Sequence, residues 1–181
     1  MIVKKLLARF INDKIIQNAE HIYVASAAIS DSGFDLIMSR LHPKCHVDIM
    51  TGLDQAVSPT VLRKILKEYH NRVALRVLTR AVLHANVYLF DMPYRKQLAF
   101  ISSGTFTKEG FADDEELSYR VSNEKEMEEL HSWFTRNYEE SDDLTEKMIE
   151  AYEPAYHRMA EREQASRDEK AQWKEQMDKL L

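Results

Sequence analysis

His84 and Asn86 open the run His84-Ala-Asn86-Val-Tyr-Leu-Phe-Asp91, in which strand-forming residues predominate. Alternate residues of a strand share a face, so an imidazole and a carboxamide are expected side by side, about 7 Å apart, with Tyr88 and Phe90 continuing that face. An imidazole moves protons near neutral pH and is itself a nucleophile. The next strand-like run ends in Ser102-Ser103-Gly104-Thr105, a small, hydroxyl-rich turn whose backbone N–H groups and hydroxyls could line an anion site. Glu115 and Glu116 then lead into a further strand. The combination suits phosphate chemistry. The plainer alternatives are a hydrogen-bonded structural histidine, an ordinary turn and a solvated acidic run.

The elements that must position these groups follow from residue periodicity. Residues 2–19 place Ile2, Leu6, Phe10, Ile11, Ile15 and Ile16 at helical spacing, and His21 to Ser30 reads as a strand. A helix over 34–41, capped by Asp31 or Ser32, precedes a strand over 46–51. Ser58-Pro59 opens another helix, followed by a strand over 73–78. Three more strands are expected at 84–90, 98–103 and 117–121. Helices alternating with strands early, then meandering strands, predict an α/β fold: a mixed β-sheet flanked by helices. From Asn123 onward the pattern is helical, with Ser141-Asp142-Asp143 as a cap for a second stretch, which Pro154 should kink or break. Residues 161–172 are almost wholly polar, and Trp173, Met177, Leu180 and Leu181 then resume an apolar face suited to a partner chain or to a frayed end. The expected division is a domain over 1–140 and a helical C-terminal extension over 141–181.

A chain of 181 residues, 44% of them hydrophobic, can bury one substantial core. Four glycines and four prolines exclude collagen-like and low-complexity classes. The single cysteine, Cys45, excludes an intrachain disulfide framework and a Cys-rich zinc site and fits the cytoplasm. No apolar run is long enough for a membrane span, and the start lacks a signal-peptide pattern. Residues 1–100 carry 14 bases and 8 acids, whereas residues 101–181 carry 11 bases and 22 acids. Such asymmetry places a phosphate-attracting surface in the first half, although a solvated acidic helix face would explain the second. Arg63, Lys64, Lys67, Arg72, Arg76 and Arg80 are candidates for a nucleic-acid backbone. The remaining histidines show no metal-ligand spacing, so neither a metal nor a cofactor is expected.

The segments His84-Ala-Asn86-Val-Tyr-Leu-Phe-Asp91 and Ser102-Ser103-Gly104-Thr105 resemble the signature of the phospholipase D superfamily, His-x-Lys-x4-Asp followed by Gly-Ser-x-Asn. Thr51-Gly-Leu-Asp54, Ser58-Pro59 and the Phe106-Thr107-x-x-Gly110 turn make the resemblance greatest to the metal-independent nuclease branch that includes some restriction endonucleases. The similarity spans roughly residues 15–140. It implies that His84 attacks a phosphodiester and that a second His84, from a homodimer mate about a C2 axis, protonates the leaving oxygen. Glu116, with Glu115 as the alternative, would orient the imidazole, while Asn86, Ser103 and Thr105 would bind phosphate oxygens.

The chain departs from that signature where charge matters. Asn86 replaces the lysine, Thr105 the asparagine and Ser102 the first glycine. Loss of a charged oxyanion partner typically costs about 3–4 kcal/mol, a hundred- to a thousandfold in rate, unless Arg80, Lys96 or Lys108 supplies the charge. The expectation is a metal-independent domain acting on or binding nucleic-acid phosphodiesters, DNA ahead of RNA, with impaired turnover. Arg80 and Lys108 are the expected nucleic-acid contacts. The alternative is a non-catalytic DNA-binding or assembly subunit of a larger nuclease or restriction complex, docking through its C-terminal helix. A lipid phosphodiesterase is disfavoured by the lack of a membrane-binding segment.

Overall fold

The computed structural model describes residues 1–55, 57–113 and 115–180. Among these, eight strands form one mixed sheet: β1 (Ile2–Val3), β2 (His21–Ser26), β3 (His46–Thr51), β4 (Val73–Val77), β5 (Val87–Met92), β6 (Lys96–Ser102), β7 (Ser118–Val121) and β8 (Asp142–Asp143). Their spatial order is β1-β7-β6-β5-β2-β3-β4-β8. Strands β2, β3 and β4 are parallel, and the remaining pairs are antiparallel. Parallel neighbours need crossovers, which α3 (Asp31–Met38) and α4 (Pro59–Glu68) supply. The other helices are α1 (Leu6–Asn12), α2 (Ile15–Asn18), α5 (Glu124–Glu139) and α6 (Glu146–Asp178).

The sheet is buried on both faces. On one, Ile22, Val24, Val47, Ile49, Tyr88, Phe90 and Phe100 pack with residues of α1 to α4. On the other, Ala25, Met50, Leu89, Ala99 and Val121 pack with Phe134 of α5. Phe10 sits at the centre of an aromatic cluster, edge-on to Phe90 at 5.0 Å and Phe100 at 5.3 Å between ring centroids. Burying such a ring stabilises by about 1.5–3 kcal/mol, which fixes α1 against the sheet.

Several sequence expectations are corrected at element ends. The segment 2–19 is not one helix: Ile2–Val3 pairs with β7, and Lys14, at φ 54°, separates α1 from α2. Ser30, rather than Asp31 or Ser32, caps α3, its hydroxyl accepting from the Gly33 N–H at 3.0 Å. Asp142 and Asp143 form β8 at the sheet edge instead of capping a helix, a role taken by Thr145, which accepts from the Met148 N–H. Helix α6 runs through Pro154 without a break. Pro154 and Glu150, whose carbonyl loses its helical donor, are both exposed, so water can satisfy that carbonyl. Ser58 does cap α4, accepting from the Thr60 N–H.

The first turns of α6 belong to the packed structure. Leu144, Ile149 and Tyr152 are buried in the core. The Tyr152 hydroxyl accepts from Val57 N and donates to Gln55 O, both at 2.9 Å. Arg63 of α4 bonds Glu146 and grips Glu153 with two parallel bonds. Beyond Ala160 nearly every residue is exposed, including Trp173 and Leu180; Leu181 lies outside the described residues. No helix is long and apolar enough to cross a membrane among the described residues. Tyr152→Phe removes both bonds of the hydroxyl, but Val57 N still donates to Gln55 O at 2.8 Å, so the expected loss is about 1 kcal/mol; urea denaturation should show this as a lower midpoint with an unchanged slope.

Candidate functional site

The candidate residues gather at one end of the sheet, around the carboxyl ends of β2 and β3, the segment entering β5 and the turn leaving β6. His84 and Asn86 lie just before the strand rather than inside it, which shortens the strand expected over 84–90. β5 begins at Val87, and the two residues differ in burial: His84 is exposed, whereas Asn86 is 7% exposed. The backbone of Asn86 still extends the ladder, its carbonyl accepting from Ser102 N at 2.9 Å. Its amide acts as a brace. Oδ1 accepts from Ser26 Oγ at 3.0 Å and Ala27 N at 3.3 Å, and Nδ2 donates to Ser103 O at 3.3 Å.

Ser26 extends the network. Its hydroxyl has two acceptors, Ala28 O at 2.9 Å and Asn86 Oδ1, and it accepts from Phe106 N at 2.8 Å. Thr51 Oγ1 donates to Ser26 O at 2.8 Å, which ties in β3. Sequence reasoning missed Ser26 and used Thr51 only as part of the Thr51-Gly-Leu-Asp54 run, although each is a small hydroxyl residue at the end of a strand.

The turn after β6 is closed by its own bonds. Ser103 N, Gly104 N, Phe106 N and Thr107 N all have protein acceptors. Ser103 Oγ donates to the Glu116 carboxylate and accepts from Leu117 N at 3.0 Å. Ser102 Oγ pairs with Ser118 Oγ at 2.8 Å, and Thr105 Oγ1 lies 3.2 Å from Thr107 Oγ1. Gly104 is needed for close approach: a Cβ there would lie 2.3 Å from Gly110 O. Tyr88 donates to Gly104 O at 3.0 Å, and burial pushes its phenol far above the ordinary range, so it remains protonated.

The site residues are therefore brought together unevenly. Ser103 and Glu116 touch, and Asn86 reaches Ser103 through the backbone, but no hydrogen bond joins His84 to Glu116 among the described residues. Glu115 lies 3.9 Å from Lys5. Asp91, at the motif spacing, is about 20 Å further along the strand, where its carboxylate accepts from Tyr23 and Gln97. Arg80 bonds Asn137 and Glu140, each at 2.6 Å, and Lys108 is exposed on the turn beyond Thr107. Arg63, Lys64 and Arg76 are likewise paired with acids. No group of three or more His, Cys, Asp or Glu is placed to hold a metal among the described residues.

Asn86→Ala takes the side-chain partner from Ala27 N and Ser103 O in a nearly closed space, while Ser26 Oγ keeps Ala28 O and Phe106 N. The expected loss of stability is about 1–3 kcal/mol, measurable by urea unfolding; a solvent-facing ligand amide at this position would change stability by much less.

Comparison with known proteins places this arrangement. The fold is similar to that of Nuc from Salmonella typhimurium, a phospholipase D family member, at TM-score 0.56 and 15% identity, covering 80% of this chain and 97% of that one. It is similar to NucT from Helicobacter pylori at TM-score 0.55 and 15% identity, covering 80% and 99%. It also matches TrmBL2, an archaeal chromatin protein described as showing a novel mode of DNA binding, at TM-score 0.52 and 11% identity over 80% of this chain and 53% of that one. The chain thus spans about half the length of TrmBL2. Comparison with curated proteins gives no match. The family model described as "Cardiolipin synthase, PLD-like domain" matches residues 11–138, well over half of the chain, and on that match this protein belongs to the phospholipase D-like family.

Proposed function

We propose that this chain binds nucleic-acid phosphodiesters at the His84 site, without a metal, and turns them over weakly. One observation carries the reading: where the signature has a lysine, this protein has a neutral amide that is buried and already bonded to Ser26, Ala27 and Ser103. An exposed histidine remains beside it, but position 86 offers no cation to the nonbridging oxygens, which corresponds to a hundred- to a thousandfold loss of rate, or about 3–4 kcal/mol. In residual turnover His84 attacks phosphorus and the leaving oxygen takes a proton from His84 of the partner subunit; water then hydrolyses the phosphohistidine. This requires a homodimer. Glu116, through Ser103, sets the charge beside the imidazole, and Ser103 and Thr105 face the phosphate. Arg80 and Lys108 contact the strand further out, and DNA is the preferred polymer. Similarity to Nuc and NucT, and to TrmBL2 with its DNA binding, supports this reading.

A second reading is favoured by the exposed outer half of α6, where Trp173 is 62% and Leu180 79% exposed. In it, the 1–140 domain is an assembly subunit and the 141–181 extension docks a protein partner of a nuclease or restriction complex. The buried, free Cys45, its thiol pushed up to about 11 by burial, accords with either role in the cytoplasm.

The deciding experiment measures cleavage of single- and double-stranded DNA and of a small phosphodiester in EDTA, for the protein and for His84→Ala, with light scattering for the dimer. Slow cleavage, lost in His84→Ala, is expected. Activity that survives the substitution overturns His84 as the nucleophile, and a folded protein that neither binds nor cleaves DNA overturns the nucleic-acid reading.

A further inference from the structure

The tight turn Pro93–Arg95, joining β5 to β6, lies at the end of the sheet away from His84. Tyr94 has φ 62° and ψ 34°, and Arg95 has φ 58°. The paired residues Met92 and Lys96 leave a three-residue loop, and two successive left-handed positions in it suit Asn and Gly, which reach that region with little strain. A tyrosine followed by an arginine does not. The fold gains nothing evident in return: Tyr94 is 100% exposed, and no hydrogen bond or ring contact holds its side chain among the described residues. Strain held at an exposed apex points to a ligand.

The surroundings indicate its chemistry. A cavity of about 400 Å³ adjoins the turn, lined by Pro93 with Gln17, Asn18, Glu20, His42 and Lys44, among others. Lys44, Arg95 and Lys96 are exposed and have no carboxylate partner among the described residues, whereas Arg63, Lys64, Arg76 and Arg80 all have one. Of the nearest acids, Glu20 lines the cavity and Asp91 is committed to Tyr23 and Gln97. An unobstructed aromatic face flanked by unneutralised cations matches a base with its flanking phosphates. We propose that the Tyr94 turn is a second nucleic-acid contact, on which a base of a single strand stacks while Lys44, Arg95 and Lys96 meet its phosphates. The contact rests on the nucleic-acid reading given above and lies about 25 Å along the strand from the His84 site.

The test is fluorescence anisotropy with labelled oligothymidine, on the full chain, its Tyr94→Asn/Arg95→Gly double variant and Tyr94→Phe. The double variant suits the left-handed positions, so its Tm equals or exceeds that of the parent, which separates binding from folding. Its affinity should fall at least about tenfold, from one lost base–aromatic stack together with the lost Arg95 phosphate contact, while Tyr94→Phe binds as the parent does. Equal affinity for the parent and the double variant overturns the contact and leaves the His84 reading standing. A Tyr94→Phe loss as large as that of the double variant overturns stacking. No binding by the parent overturns the contact and the nucleic-acid reading together.

Discussion

The Asn86 amide is the constraint on which the site end of the molecule depends. The carboxyl end of β2, the entry to β5 and the turn after β6 converge beside the start of α3, where Gly33 lies against Phe106 and Thr107, and their polar groups must find partners inside the protein. A carboxamide offers an acceptor and a donor in one plane, so it receives Ser26 Oγ and Ala27 N while giving to Ser103 O. An ammonium group donates only and could not accept from Ser26 and Ala27. The residue that makes the site electrostatically neutral is thus the same one that holds its walls together.

Tertiary packing also redistributes the charge. The basic first half and the acidic second half largely neutralise each other across the fold: Arg63 with Glu146 and Glu153, Arg76 with Asp143, and Arg80 with Glu140. These cations clamp the last helices and β8 onto α4 and β4. Exposed pairs of this kind contribute little each, and Arg63 stands out because it bonds two carboxylates and meets Glu153 through both of its terminal nitrogens. Lys67 of the same stretch has no carboxylate partner among the described residues and Arg72 bonds only backbone carbonyls, while Lys44, Arg95 and Lys96 lie near the other end of the sheet. A stretch rich in Lys and Arg is therefore a poor guide to where phosphate would be met.

Helix α6 joins these themes. Its first turns are held by buried Ile149, by the two bonds of the Tyr152 hydroxyl and by Arg63, and its remainder leaves the domain. A helix of 33 residues is about 50 Å long, too long to be covered by a domain of this size, so its outer half is set by local helix propensity with no packed neighbour.

The sequence by itself determined the α/β class, most strands of the sheet, the Ser58 cap and the residues 84–121 that carry the family resemblance, because periodicity and turn chemistry are local. It could not determine which side of the chain at 84–86 faces solvent, since that depends on where β5 begins and on what Ser26, some sixty residues away, presents to it. Nor could it show that Asp142–Asp143 would close a sheet edge, that α6 would pass through Pro154, or that Tyr94 and Arg95 would be forced left-handed. Each depends on a partner distant in the chain or on the register of two strands, and those are decided only when the sheet assembles.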